Sequence, residues 1–349
     1  YAYTITEKRD EQYPAIVSVK YGAGSLLYVN LPLGYLKGYS NDLFLRTIFR
    51  TFLFKMIKVP HLLNVPGNRG GIVINWHIDS NYEWTVIPFM IEHGYLREGI
   101  RNSLHITAGD FRDKPKDNVG FDASGQGRQF VEMIKKYGII GSHGGWAHNW
   151  FAENIIEERF GKREIKQYIQ KNNESLQTIT GYKITEYSAP VGVHPQPVTT
   201  NVLEELGMDS YYYTGDSSSS PNRTFVNGVM PSSKVIAFPV MHLEKAASLY
   251  EMKQHNKTEA EVQGWLFDIA DYVHRNKVVR LIYSHPNDID EYPHALKNFL
   301  DCIEQFQKEG KINVETMTFF TRFLLRFLKT DFHFTMAEGR LVVSLKNPE

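Results

Sequence analysis

The sequence predicts an α/β chain whose main body is a β/α barrel, on three observations. Short β-rich runs alternate with amphipathic helical stretches from Gly70 onward. The helical stretches are long enough to carry the chain back over a sheet, so that successive strands run parallel. Polar, chemistry-bearing side chains fall where those strands end, and in a β/α barrel the strand ends form one face.

The strand runs are Gly71 to Trp76, Ser103 to Ala108, Gly138 to Ser142, Ile184 to Ser188, Tyr211 to Thr214, Val235 to Val240 and Val278 to Tyr283. Amphipathic stretches over Gln126 to Tyr137, Pro197 to Leu206, Glu259 to Asn276 and Ala295 to Lys308 supply the crossovers, with a further helix near Glu83 to His93. At or just past the strand ends stand His77 and Asp79, His143, Asp216, His242 and His285. Thirteen histidines scattered at random would put some there by chance, so the pattern defines a site to test.

Two pieces flank the barrel. Residues Pro14 to Leu53 read as strand, Gly-Ala-Gly turn, strand, Pro-Leu-Gly loop and apolar helix, and Phe332 to Lys346 alternates like strands around a Glu338-Gly339 turn. The expected division is therefore 1–62, a barrel over 70–330 and a β element over 331–349, with Val59 to Gly70, rich in proline and glycine, as the linker.

Composition narrows the function. Across 349 residues, 42% are hydrophobic and 13% aromatic, enough for a sizeable core. Lysine plus arginine equals aspartate plus glutamate at 39 each, so no net charge draws the chain onto nucleic acid or an anionic membrane. Cys302 is the only cysteine, which excludes internal disulfides and cysteine-rich zinc sites; a metal would need histidine and carboxylate. No apolar run approaches the ~20 residues of a membrane span, and the stretch Phe319 to Leu328 is interrupted by Arg322 and Arg326. The chain opens on Tyr1 rather than methionine, as a trimmed or mature product would.

His143 and His148 lie in Ser142-His-Gly-Gly-Trp-Ala-His-Asn149. A spacing of five turns a straight helix through about 500°, so they cannot share a helix face. With His143 ending a strand, Gly144 and Gly145 turning and His148 entering a helix, both imidazoles can point at one ion; alternatively one is a packed strand-end residue and the other a surface one. Asp79 ends the apolar run Gly71-Ile-Val-Ile-Asn-Trp-His-Ile-Asp79. As a third ligand it would leave a position open for water, the pattern of a catalytic zinc site; as a helix cap it would be structural. His285, stopped by Pro286, either packs or donates a proton, its ordinary pKa near ~6.5 suiting that role. Trp76, Trp146, Trp150 and Tyr211 to Tyr213 offer flat apolar faces, although most aromatics are core; Trp146, between the two histidines, is the one placed at the cleft.

The order Asp79, Gly141-Ser-His143 with His148, Ser188-Ala-Pro190, Thr214-Gly-Asp216 and Leu281-Ile-Tyr-Ser-His285 resembles the polysaccharide deacetylases of the NodB-homology type (carbohydrate esterase family 4-like), over Gly70 to Leu328. That resemblance implies a distorted (β/α) barrel and a divalent metal, zinc by expectation, held by Asp79, His143 and His148. It also implies an Asp base and a His acid, assigned to Asp79 and His285, with Trp146, Pro190 and Asp216 at the substrate. Its substrates would be N- or O-acetylated oligo- or polysaccharides, met outside the cytoplasm, in the periplasm or at the cell surface. The metal would activate water against the acetyl carbonyl, with a backbone N–H near Pro190 helping to stabilise the oxyanion.

The chain departs from the family pattern in three places. The usual paired aspartates are here His77-Ile-Asp79-Ser80-Asn81, the histidine pair has one extra residue between its members, and Ser188 or Ala189 replaces the arginine before Pro190. A catalytically silent sugar-binding module on the same barrel is therefore the alternative. Tyr21-Gly-Ala-Gly-Ser-Leu-Leu-Tyr-Val-Asn-Leu-Pro-Leu-Gly34 resembles the closing hairpin and last helix of glutamine-amidotransferase-like α/β domains, which would make 1–62 the tail of such a domain.

Overall fold

The computed structural model describes residues 2–5, 12–33, 43–113, 119–213 and 219–347. The chain forms two compact units, Tyr1–Leu62 with Phe332–Leu345, and Leu63–Asp331 with Lys346–Glu349.

In the first unit, strands Ala2–Ile5, Gln12–Tyr21 and Gly24–Val29 form an antiparallel sheet with the long strand in the middle. Tyr21 pairs with Gly24, leaving a two-residue turn whose first position, Gly22, has φ 57°, the left-handed region that glycine enters without Cβ strain. A helix over Leu43–Arg50 runs into a π-helical turn at Thr51–Met56. The C-terminal hairpin pairs Asp331–Ala337 with Arg340–Lys346 around Glu338 and Gly339, both at positive φ.

The second unit is the barrel. Its strands are β1 (Gly70–Ile78), β2 (Asn102–Ile106), β3 (Gly138–His143), β4 (Glu186–Ser188), β5 (Ser210–Tyr213), β6 (Ile236–Pro239) and β7 (Val279–Ser284). They lie in the order β7-β1-β2-β3-β4-β5-β6, every neighbouring pair parallel. The sheet curls round until β6 meets β7 at a single bridge, Val240 to Leu281, where the Met241 N–H donates to the Leu281 carbonyl at 2.9 Å. Asn222–Arg223 adds an antiparallel edge to β6, and Ile312–Val314 lies parallel beside β1.

Period-two alternation along β1 divides its side chains between two apolar layers. Ile72, Ile74, Trp76 and Ile78 face out and pack with Leu266, Ile269 and Val273 of the crossover helix Glu259–Asn276. Val73 faces the lumen with Val279, Leu281, Phe238 and Met317, Phe320 and Leu324 of the last helix, Met317–Lys329. This second cluster fills one end of the barrel. Further along, the inward layers turn polar: Asn75, His77, Ser103 and His105 are all fully buried. Burial on both faces explains why the strands read as near-continuous apolar runs.

The longest helix, Lys162–Thr180, buries Ile165, Ile169, Asn172, Leu176 and Ile179, one residue per turn. Asn172 is polar in the middle of that stripe because it stitches two strand ends. Its Oδ1 accepts from the Ala108 N–H at 2.7 Å, and its Nδ2 donates to the Ile106 carbonyl at 3.0 Å and to Ser142 Oγ at 2.7 Å.

Just before β5, burial pushes the Asp209 carboxyl up to about 7 from its usual 3.8, and the nearby charge of Glu186 adds to the shift. The folded state thus prefers the protonated acid, while the unfolded chain ionises near pH 4. Between those values the unfolded state releases its proton first, so stability is full at low pH and drains as pH rises from about 4 to about 7. Asp209→Asn should therefore raise the melting temperature relative to wild type at pH 8 and hardly change it at pH 4; equal shifts at both would contradict the assignment. No helix among the described residues is long and apolar enough to cross a membrane.

Candidate metal centre

Four side chains converge just past the carboxyl ends of β1, β3 and β7. Asp79 follows β1 directly, His143 is the last residue of β3, His148 opens the helix His148–Ile156, and His285 follows β7. Asp79 Oδ1 lies 3.3 Å from His143 Nε2, while Oδ2 lies 3.6 Å from both His148 Nε2 and His285 Nε2. The two Nε2 atoms of His143 and His148 are 3.0 Å apart.

Local chemistry explains how the chain reaches this arrangement. After β3, Gly144 has φ 68°, and a Cβ on it would lie 2.3 Å from Pro190 Cγ; one on Gly145 would lie 2.6 Å from Phe151 Cε2. Only glycines let the turn press against those rings and bring His148 back beside His143. After β1, Glu83 folds back onto its own turn: Oε2 accepts from the Ser80 N–H at 2.9 Å and from Ser80 Oγ at 2.8 Å. Its Oε1 accepts from Asn287 Nδ2 at 3.0 Å, tying the loop after β1 to the loop after β7. Burial, with the charge of Asp79 behind it, pushes the Glu83 carboxyl up to about 7. The helix that starts at Glu83 has Tyr82 at its cap with no side-chain cap bond, so the capping alternative for Asp79 is not realised.

The donor set fits a cation. His143 Nδ1 is 2.6 Å from Ser188 Oγ, and His148 Nδ1 is 2.8 Å from Asn149 Oδ1. When both Nδ1 atoms donate, the two Nε2 lone pairs face each other, which requires an electrophile between them. Asp79 Oδ1 beside them is buried and receives no hydrogen bond. One ligand atom from each of Asp79, His143 and His148 lies within 4.8 Å of the others, and ligands ~2 Å from a shared zinc-like ion are separated by ~3–4 Å. Burial, reinforced by the neighbouring imidazoles, holds His143 and His77 well below the usual histidine range, leaving His143 neutral, the form that ligates metal.

His285 is set up differently. Burial opposes its charge, but a 2.9 Å hydrogen bond from Nδ1 to Asp288 Oδ2 and the charges of Asp79 and Asp288 outweigh it and push the imidazole up to about 9. The same Asp288 oxygen accepts from the His285 N–H and from Ser284 Oγ. His77, fully buried, is 2.8 Å from Asn75 Oδ1 through Nε2, and its ring centre lies 4.2 Å from that of His143.

These imidazoles line a cavity of about 340 Å³ that Val191, Tyr212, Glu251 and Tyr283 also wall. Glu251 Oε1 accepts from the Tyr283 hydroxyl at 3.2 Å. Val191 holds φ 53° while 69% exposed, a costly conformation for a β-branched residue and of the kind that collects at functional sites.

The remaining sequence candidates are placed as follows. Pro190 is buried against Gly144, while its neighbours Ala189, Val191 and Gly192 line the cavity. Trp146 does not line it: the indole N–H donates to Asp113 Oδ2 at 2.7 Å and Lys171 Nζ sits 3.6 Å above the ring. Asp216 lies outside the described residues. His242 bonds its own strand end, with Nδ1 3.2 Å from the Val240 carbonyl oxygen. Trp76 and Tyr211 are core, and Trp150 packs on Phe160 and Tyr168. Sequence reasoning passed over Glu83, His105, Glu186, Glu251 and Asp288. Asp288, three residues after His285, and Glu83, three residues after Ser80 in the capping-box pattern, carried a local signal; the rest become neighbours of the site only through the fold.

A carboxylate and three imidazoles at the strand-end mouth of the seven parallel barrel strands form a candidate metal centre. Solved structures with the same barrel include a probable polysaccharide deacetylase from Pseudomonas aeruginosa PAO1, at TM-score 0.53 and 13% identity over 78% of this chain and 96% of that one. PuuE allantoinase matches at TM-score 0.53 and 12% identity over 76% and 94%. A Mycobacterium smegmatis protein with a provisional polysaccharide deacetylase name matches at TM-score 0.51 and 11% identity over 76% and 94%. The fold of this chain is therefore the distorted (β/α) barrel of the polysaccharide deacetylases. No family model matches the sequence, and no curated protein does.

Proposed function

We propose that the protein is a metal-dependent hydrolase that removes acetyl groups from an extracytoplasmic oligo- or polysaccharide. The observation that carries this reading is the convergence of Asp79 with the Nε2 atoms of His143, His148 and His285, three imidazoles that line one cavity. Asp79, His143 and His148 would hold a divalent ion, zinc in our reading, which when bound would supply a water of lowered pKa and polarise the acetyl carbonyl. Asp79 divides its work between its oxygens: Oδ1 faces His143, and Oδ2, which also faces His285, takes the proton of the attacking water. His285, kept protonated by Asp288, gives its proton to the departing nitrogen or oxygen. Tyr283, partly exposed on the cavity wall, offers aromatic surface to a sugar in the cavity.

The test is metal content by elemental analysis together with acetate release from acetylated oligosaccharides. Wild type should hold one metal per chain and release acetate, and His143→Ala should lose both. A second reading rests on one observation: among the described residues Asp79 is the only carboxylate in the ligand group. Stoichiometric metal with no acetate release from any acetylated glycan would favour a sugar-binding module on the same barrel.

A further inference from the structure

Behind His143 runs a line of buried polar groups that the reaction does not touch. Ser188 Oγ is 2.6 Å from His143 Nδ1 and 2.9 Å from His105 Nδ1. His105 Nε2 is 3.1 Å from Glu186 Oε2, with both side chains fully buried. Glu186 Oε1 accepts from the Thr318 N–H at 2.6 Å. The line runs from the base of the last helix through β4 and β2 to the end of β3, using Glu186 and Ser188 from β4, His105 from β2 and His143 from β3.

Hydrogen-bond arithmetic gives the line a direction. A carboxylate oxygen only accepts, so His105 must donate from Nε2; a neutral imidazole then presents a bare Nδ1. Ser188 has one proton, and that bare nitrogen takes it. The serine oxygen is left to accept, and its closest partner, His143 Nδ1, must donate. With His105 neutral and Glu186 ionised, every bond is satisfied in one sense only: His143 to Ser188 to His105 to Glu186. Its result is a proton fixed on His143 Nδ1 and a lone pair on Nε2, the atom facing Asp79 and His148.

We propose that Ser188, His105 and Glu186 are positioning residues that lock His143 in its Nδ1–H tautomer and aim Nε2 at a divalent cation, a role that rests on the metal reading above. The space for this device is built in. Gly141 sits opposite His105 in the β2–β3 register, and a Cβ on it would lie 2.4 Å from His105 Cδ2 and 2.7 Å from Nε2. The same position thus leaves room for the ring that relays the bond.

The experiment has two arms. With isotope-labelled histidine, nitrogen chemical shifts of wild type stripped of metal should show His143 protonated on Nδ1 and His105 neutral and protonated on Nε2. His143 protonated on Nε2, or a doubly protonated His105, overturns the proposal, and this arm needs no variant to fold. In the second arm, cobalt(II) and zinc affinities are measured by competition with a chelator. Ser188→Ala and Gly141→Ala should each weaken binding ~10–100-fold, the usual cost of losing a partner that orients a ligand, and Ser188→Thr, which keeps the hydroxyl, should restore it. Unchanged affinity in a folded Ser188→Ala would sink this role alone; a wild type that takes up neither ion would sink the metal reading and this role with it.

Discussion

If the protein is the proposed deacetylase, His285→Ala should lower the rate of acetate release by ~10²–10⁴-fold, the range of a positioned general acid, while metal content should stay at the wild-type level. The separation follows from geometry: His285 touches the site through Asp79 Oδ2 at 3.6 Å and is anchored on the far side by Asp288 at 2.9 Å. Its imidazole is pushed up to about 9, so it holds its proton at neutral pH and rates should fall as pH climbs past its pKa. A cation bound at Asp79 would offset part of that charge and bring the alkaline limb below about 9. Asp288→Asn removes the hydrogen-bonded charge, so the limb should move to lower pH still. Equal loss of metal in His285→Ala would make His285 a ligand, and an unmoved limb in Asp288→Asn would detach Asp288 from the proton.

Asn172→Leu keeps the volume of the side chain and removes all three of its hydrogen bonds. The Ala108 N–H, the Ile106 carbonyl and Ser142 Oγ would then be buried without this partner, at ~1–3 kcal/mol each. A loss on the order of 5 kcal/mol is a large share of the ~5–15 kcal/mol that holds a domain folded. Denaturant melts should show the midpoint collapsing, or no cooperative transition at all. A shift of less than about 1 kcal/mol would mean that the strand ends find other partners or water.

That same asparagine explains what the sequence concealed. The helix Lys162–Thr180 carries only a narrow stripe, with a polar residue at its centre, so hydrophobic periodicity alone does not announce it. Each of the seven barrel strands overlaps an apolar run read from sequence, because strands buried on both faces concentrate Val, Ile and aromatic residues. Their order is less visible, since the closure from Val240 to Leu281 has no sequence mark. Asp79, His143 and His285 stand out because each breaks an apolar run at a strand end, and His148 because it follows the Gly-Gly turn after His143. The line from His143 to Glu186 does not stand out: Ser188 and Glu186 are separated from His105 by 83 and 81 residues, and only the lateral pairing of β2, β3 and β4 makes them neighbours. Trp146 shows the limit of proximity in sequence. It stands between the two histidines, yet its positive φ and the bond to Asp113 place the indole outside the cavity lining.

The single bridge between β6 and β7 makes this barrel a clasp rather than a hoop. Six residue pairs hold β7 to β1, whereas one pair holds β7 to β6, so the closure is the weakest joint of the ring, followed by the two-pair joints on either side of β4. Tyr283, on the cavity wall, belongs to the strand at that joint. Asp79 and His143 end strands on the stiff arc. The half of the candidate centre that carries Asp79 and His143 is thereby mounted on the frame, and the width of the cavity is set at the fastening.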